Sequence, residues 1–542
     1  MIRFNRIRPH LFWLFVVACA VPLAFALYTN HVWEDFYITY RSSKNLATGH
    51  GLVFNVGDRL HTFTSPLGVL LPALANLLVL NSSDAAALWL FRLLCMSAFA
   101  GAAVLLFAAS RALNYSYLAA GCLLAWLITD AKSVDFCING METAFMLLFF
   151  AYALWAMFSA NDRRWLHLGI AWGGLMWTRP DSFIYIGLFS GGVWIFNSAA
   201  RTGLTRIDWL KMFLRAGAVC TALYLPWLLF AWSYYGSPVP HTISAKAVLA
   251  SPKTVAGFIQ SLVVILRSLW AGQGPASAAF LPSYAQSGDW PEIMWQVARW
   301  ISVLSGLLWT VPRLRTETKA ASLSFLGAVL YLSYFPPFYY PWYLCMPAFL
   351  GFLTLGGLLA QLLDIAGNLS SPKLSSLLRS GLVVLGVTIM GLNIWMTVSS
   401  AQQLKIRQEL IEVGNRRKIG EWLRAHAQPR DTVFLEPLGY IGYYSQLRTY
   451  DHPGLSSREV VDAIHRLGPS DWGALILDLH PDWLVLRMNE ITAILQKRPR
   501  LLYDAYSAVA KFDVSEQVSK SGVHGRPYLE YDSHFFVFKK HR

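Results

Sequence analysis

Charge is scarce in this sequence. Of 542 residues only 14% are Asp, Glu, Lys or Arg, against about 25% in ordinary soluble domains. The shortage is local. Residues 1–399 carry 39 charged residues and only 14 acids, whereas residues 400–542 carry 37. With 55% hydrophobic residues, 22 Trp and a mean hydropathy of +0.41, an ordinary soluble protein is excluded. Cysteine is also sparse. Cys19, Cys95, Cys122, Cys137, Cys220 and Cys345 lie in or beside apolar runs with no CxxC spacing, which argues against a zinc site or redox pair. No glycine-rich phosphate loop and no GxSxG nucleophile elbow follows a strand pattern, so nucleotide and serine-hydrolase chemistry have no support. Repeats and low-complexity segments are missing.

Long apolar runs are plentiful. A membrane-spanning helix needs about 20 apolar residues, and eleven runs qualify as candidates: 12–29, 85–109, 115–130, 142–160, 165–178, 182–197, 211–233, 293–311, 320–335, 341–363 and 379–399. The predicted fold class is an α-helical polytopic membrane protein of about 11 transmembrane helices (residues 1–399) with a C-terminal soluble α/β domain (residues 400–542). Cations fall in every second loop: Arg3, Arg6 and Arg8, then Arg111, Arg163 and Arg164, Arg201 with Arg206 and Lys211, Arg313 with Arg315 and Lys319, and Lys373 with Arg379. The positive-inside rule makes these loops cytoplasmic. The amino terminus is then inside and the 400–542 domain outside. The net charge of +14 is thus read as topology, not as a nucleic-acid surface. A basic start followed by an apolar run and Ala24-Phe25-Ala26 also resembles a secretory signal, but the run is long and is read as a retained anchor. Two outer loops are large, 30–84 and 234–292. Each contains a weaker apolar stretch, 66–80 and 256–270, read as interfacial.

In the tail, 404–426, 457–467 and 490–497 read as helices, and 431–435, 447–450, 483–487 and 535–539 as strands. This alternation favours a layered α/β domain.

Because acids are rare, Glu34 and Asp35 stand out. They follow the first apolar run almost at once, among Trp33, Phe36, Tyr37 and Tyr40. A carboxylate at an apolar boundary is partly desolvated, which raises its pKa and strengthens it as a base. Interfacial anchoring by an aromatic belt is the plain alternative. The stretch Trp33-Glu34-Asp35-Phe36-Tyr37-Ile38-Thr39-Tyr40-Arg41, with Asn45-Leu46, Gly49-His50-Gly51-Leu52-Val53-Phe54-Asn55-Val56-Gly57-Asp58-Arg59 and Thr64-Ser65-Pro66-Leu67, resembles the first outer loop of GT-C membrane glycosyltransferases of the terminal β-arabinofuranosyltransferase and pilin arabinosyltransferase group. Weaker likenesses follow at Asn139-Gly140-Met141-Glu142-Thr143, Thr178-Arg179-Pro180-Asp181, Tyr234-Tyr235-Gly236 through His241-Thr242 to Lys246, and Gly439-Tyr440-Ile441-Gly442-Tyr443-Tyr444-Ser445 with Asp451 and Gly454. Two departures are Glu34 for the usual Asp and His241 for the usual Asn.

The resemblance implies a polyprenyl-phosphate-sugar donor, a sugar that is arabinofuranose by preference, a glycan or protein acceptor, and transfer on the outer face of a bacterial inner membrane. Donors carrying mannose, glucose or aminoarabinose remain alternatives, and so, in another class, does a flippase for lipid-linked sugars. Asp35 is the implied general base, with Glu34 as its partner, a metal ligand or simply an interfacial acid. Arg41, Arg179 and Lys246 are implied partners of the donor phosphate. Asn45, Glu142, Tyr235, His241, Tyr340, Trp342, Asp451 and His452 are the substrate-contact candidates, with aromatic packing and helix capping as the competing uses. No HxxxH, DxD or calcium-loop spacing occurs. No tight metal is expected, and a weak divalent cation (Mg2+, Mn2+ or Ca2+) stays open.

Overall fold

The computed structural model describes residues 9–250, 253–272, 274–336 and 338–541. Arg3, Arg6 and Arg8 lie outside the described residues, as does the side chain of Arg201. Each of the eleven apolar runs is helical: Pro9–Thr29, Asp84–Ala112, Tyr117–Ile128, Thr143–Phe158, Arg164–Thr178, Ser182–Ile195, Arg206–Tyr235, Glu292–Leu307, Thr316–Tyr334, Cys345–Gly367 and Pro372–Ile406. Among the described residues, five helical stretches are long and apolar enough to cross a membrane on their own: Pro9–Thr29, Asp84–Ala112, Arg206–Tyr235, Pro341–Gly367 and the apolar part of Pro372–His426. Others are shorter than the sequence predicts. Tyr117–Ile128 has 12 residues, a rise of about 18 Å against a hydrocarbon core of about 30 Å. The reason is Asp130, whose side chain accepts from the Ser133 N–H at 2.8 Å and starts a separate buried turn, Ala131–Asp135.

The loops segregate to the two ends of the bundle. At one end Leu113, Arg164, Thr202, Arg315, Thr316 and Gln361 surround a single cavity. At the other end the outer loops meet the tail. The two weaker apolar stretches form the helices Pro66–Leu78 and Val255–Ala271.

The tail contains a five-stranded sheet of β1 (Thr432–Leu435), β2 (Arg448–Asp451), β3 (Trp483–Arg487), β4 (Tyr506–Asp513) and β5 (His534–Lys540), in the order β2-β1-β3-β5-β4. β1 is parallel to β2 and β3, while β5 is antiparallel to β3 and β4. Strand β4 escapes the sequence reading. Its central residues, Ser507 to Lys511, are mostly exposed and its central apolar residues are only Ala508, Val509 and Ala510, as befits an edge strand.

No loop separates the tail from the bundle. Pro372–His426 is one continuous helical run of 55 residues, and its stretch Arg407–Arg417 is wound as a π-helix. The first outer loop also belongs to both parts. Phe54 and Ile38 are buried with Val433, Leu435, Trp483 and Val537 on one face of the sheet. Phe54→Ala should lower stability by about 3–5 kcal/mol and loosen the loop from the sheet. Thermal unfolding of the purified chain, with limited proteolysis at the loop, measures both effects.

Candidate active site

The outer loop reaches its position through backbone contacts that satisfy buried groups. Asn139 accepts from the Trp33 N–H at 2.8 Å, and Gln408 Oε1 accepts from the Val32 N–H at 2.9 Å. Arg92, buried, donates to the His31 and Ile138 carbonyls at 2.6 Å each. His31 pairs with Asp135 at 2.7 Å. Gly140 adopts a φ of +95°, and a Cβ there would lie 2.5 Å from the Phe36 ring. The chain is thereby pinned just before the helix Glu34–Ala47. Glu34 and Asp35 occupy its first turn.

The tail closes over this turn. The Gly439 N–H donates to Glu34 Oε1, and a Cβ at Gly439 would collide with the Glu34 carbonyl. Burial pushes the Glu34 carboxyl well above its usual range; Arg416 opposes the shift and the neighbouring Asp35 adds to it. Burial also raises Asp35, but Lys246 and a hydrogen bond from Glu34 pull it back down. The direction is clear for the pair: Glu34 keeps the proton and donates it, and Asp35 is the carboxylate.

Two cavities meet beside these acids. A groove of about 590 Å³ is lined by apolar residues such as Phe183, Ile184, Ile243, Phe258, Leu330 and Phe335, with Arg179 and Lys246 among them. A chamber of about 370 Å³ is lined by Glu34, Asp35, Arg407, Arg416, Glu436, Arg487 and Asp532, with Trp33, Tyr284, Trp342 and Tyr528 as aromatic walls. Tyr340 borders both cavities. Lys246 Nζ lies 4.9 Å from the Tyr340 ring centre and 5.7 Å from that of Trp342. Among the described residues no carboxylate is within ion-pair distance of Lys246.

Of the sequence candidates, the structure gathers Glu34, Asp35, Lys246, Tyr340 and Trp342 around this junction, with Arg179 further along the groove. Arg179 is already paired: Asp181 lies 3.0 Å from its Nε and Glu142 3.5 Å from its Nη1. Glu142 makes no side-chain cap to the helix it precedes.

Six candidates are corrected. Arg41 does not face a phosphate. Its guanidinium donates to the carbonyls of Gly442, Gln446 and Leu447 at 2.8–3.3 Å and lies 4.3 Å above the Phe54 ring. Burial lowers its pKa to about 10. It is a clamp between the first outer loop and the tail. Asn45 donates to the Val53 and Phe54 carbonyls and closes its own loop. Tyr235 donates to the Leu52 carbonyl at 2.7 Å and stacks on His61. His241 Nε2 is 3.0 Å from the Gly454 carbonyl oxygen. Asp451 is buried and accepts from the N–H groups of Gly454, Leu455 and Ser456. His452 packs on Trp472, with its Nε2 2.9 Å from the Pro469 carbonyl oxygen. None of these six lines either cavity at the junction. In each case backbone groups engage the side chain's polar atoms.

Sequence reasoning missed the other half of the chamber. Arg407, Arg416 and Glu412 come from the π-helical stretch, Glu436 from the end of β1, Arg487 from the end of β3, and Asp532 from the loop before β5. They form one charge network, buried except at Glu436, whose side chain is exposed. Glu412 joins Arg407 at 2.9 Å to Arg416 at 3.0 Å. Asp532 joins Arg416 to Arg487, both at 2.7 Å. Arg487 also holds Glu436 and Glu490. Burial alone would raise Asp532, but Arg416, Arg487 and Arg407 outweigh it and hold its pKa down to about 2. Among the described residues no group of three or more His, Cys, Asp or Glu side chains is suited to hold a metal.

Arg41→Gln tests the clamp. The substitution removes donors from buried carbonyls and should destabilise the chain by about 2–3 kcal/mol, read by thermal unfolding. Gly439→Ala should also lower the unfolding temperature and loosen the tail from the Glu34 turn, because the added Cβ meets the Glu34 carbonyl; limited proteolysis reads the loosening.

A family model described as a domain of unknown function (DUF8728) matches residues 400–535. Two curated relatives are terminal beta-(1->2)-arabinofuranosyltransferases. The one from Mycobacterium tuberculosis is 25% identical over 268 residues, covering 43% of this chain and 38% of its own. The one from Corynebacterium glutamicum is 28% identical over 238 residues, covering 40% and 33%. The matches thus span little more than a third of those relatives' length. Among solved structures, ArnT from Cupriavidus metallidurans bound to undecaprenyl phosphate superposes over 97% of both chains, with a TM-score of 0.55 at 14% identity. Over part of its length the chain resembles the terminal arabinofuranosyltransferases in sequence, and nearly end to end it shares the fold of ArnT.

Proposed function

We propose that this chain is a membrane glycosyltransferase that moves a sugar from a polyprenyl-phosphate carrier to an acceptor hydroxyl on the outer face of a bacterial inner membrane. In this reading residues 1–399 are the membrane catalytic part, the amino terminus is cytoplasmic and the 400–542 domain is periplasmic. The observation that carries the proposal is the junction at Tyr340. There an apolar groove, suited to a lipid chain, meets a polar chamber, suited to a sugar, beside Asp35 and Lys246. The ligand bound to ArnT, undecaprenyl phosphate, is a lipid of this class. The curated relatives favour arabinofuranose as the sugar.

The chemistry follows from the charges. The Asp35 carboxylate takes the proton from the acceptor hydroxyl as its oxygen bonds to the anomeric carbon. The bond from that carbon to the phosphate oxygen breaks, and the electron pair leaves with the polyprenyl phosphate. Lys246 faces the growing negative charge on the leaving group. Glu34, holding its proton, hydrogen-bonds to Asp35 and orients it. Arg179, neutralised by Asp181 and Glu142, shapes the groove wall and supplies little free charge.

Asp35→Asn should lower kcat by at least about 10²-fold, whereas Glu34→Gln, isosteric with the protonated acid, should keep most of the activity. A transfer assay on the purified chain measures this, offering polyprenyl-phosphate-arabinofuranose beside mannose, glucose and aminoarabinose carriers. Turnover of a different carrier would change the sugar and keep the mechanism. Movement of a carrier across a bilayer without transfer would replace the enzyme by a flippase. Because Asp35 must be ionised to act and its pKa is raised, kcat/KM should fall as pH drops through a value above the ordinary Asp range of about 3.9. A pH profile that stays flat down to pH 4 would contradict the assignment.

A further inference from the structure

The aromatic wall of the two cavities has a cation at each end. From Lys246 it runs through Tyr340 and Trp342, stacked at 4.6 Å, to Trp33, then Tyr284, then Tyr528, stacked on Tyr284 at 4.2 Å. Arg407 ends the wall, 4.3 Å above the Tyr528 ring and 5.7 Å from that of Trp33. Asp35, two residues after Trp33, lines the polar chamber with Trp33, Tyr284 and Tyr340. Lys246 belongs to the apolar groove and Arg407 to the polar chamber.

Arg407 owes its place to the π winding. In an α-helix at 3.6 residues per turn, Arg407 and Arg416 would be about two and a half turns apart and on opposite faces. The wider i→i+5 winding over Arg407–Arg417 brings both onto the chamber side with Glu412 between them. Such winding is rare and is frequently found at functional sites. Arg416 and Arg487 spend their charge on Glu412, Asp532, Glu436 and Glu490. Arg407 is 3% exposed, its Nε is held by Glu412, and its Nη1 has no hydrogen-bond partner. A buried guanidinium donor left unpaired beside a cavity is costly unless something completes it.

We propose that Arg407 positions the acceptor: its free Nη1 donates to an uncharged oxygen of the acceptor, which packs on Tyr528 and Trp33, while Lys246 marks the donor end of the same wall. The ligand oxygen is a hydroxyl or ether oxygen, not a phosphate or carboxylate. The network's three arginines already face four carboxylates, and Asp35 lies in the same chamber. An anionic acceptor would add negative charge to a site that has no cation to spare. The inference rests on the glycosyltransferase reading of the chamber.

The test uses the full chain in lipid nanodiscs, polyprenyl-phosphate-arabinofuranose as donor and an octyl arabinofuranose disaccharide as acceptor probe. Arg407→Lys keeps a cation beside Glu412 and removes the second donor. It should raise acceptor KM about tenfold or more and leave donor KM unmoved. Binding of the disaccharide, read from tryptophan fluorescence, should weaken by the same factor. If the lysine variant fails to fold, Arg407→Gln with Glu412→Gln removes both buried charges together and carries the same expectation. An unmoved acceptor KM, or donor and acceptor KM rising together, overturns the inference while wild-type transfer keeps the enzyme reading. A wild-type chain that transfers from no carrier overturns both.

Discussion

The site depends on the desolvation of two neighbouring carboxyl groups. Burial penalises the charge on both Glu34 and Asp35 at the seam between an apolar bundle and a folded tail, and the surroundings divide that penalty unequally. Lys246 faces Asp35 and favours its charge, whereas Glu34 lies under the Gly439 backbone with only the heavily committed Arg416 in reach. Much of the local architecture serves this seating. The Arg92 and Asn139 contacts fix the approach of the chain, the Arg41 clamp fixes the helix that follows, and Gly439 closes the lid at backbone distance.

Bundle and tail are consequently one structure. The Arg41 guanidinium reaches from the first outer loop to three tail carbonyls, and Phe54 from the same loop enters the core beneath the sheet. The continuous helix Pro372–His426 carries the chain out of the apolar bundle and, within the same rod, presents the arginines of the chamber. A flexible linker there would leave buried charges without fixed partners, which is costly in a low-dielectric site. The π-wound stretch gives the required face while keeping the rod unbroken.

Much of this was legible in the sequence. Each of the eleven apolar runs that hydropathy picked out is helical, because an apolar run has few alternatives to helix where backbone groups must be satisfied internally. The rarity of acids and the motif around them pointed to Glu34 and Asp35, a separate motif pointed to Lys246, and Tyr340 and Trp342 were candidates only as aromatics suited to sugar stacking or lipid packing. Where the reading erred, it erred in one way. Arg41, Asn45, Tyr235, His241 and Asp451 lie in motifs and carry polar groups, yet each is used up by a carbonyl or an N–H of a loop that folds back on it. Motif membership does not distinguish a residue that contacts substrate from one that holds the loop presenting it.

The sequence by itself determined the apolar helices, the charge asymmetry between bundle and tail, the strand-helix alternation of the tail and the carboxylate pair. These are set by local composition and by periodicity. Tertiary structure alone decided what stands opposite those carboxylates. Arg407, Arg416, Glu436, Arg487 and Asp532 are scattered over more than a hundred positions, and in sequence they read as the solvated face of a soluble domain. They become a site only when the sheet brings the ends of β1 and β3 beside the π-wound stretch. That winding departs from the 3.6-residue period on which sequence reading relies, so the face it creates is invisible until the chain has folded.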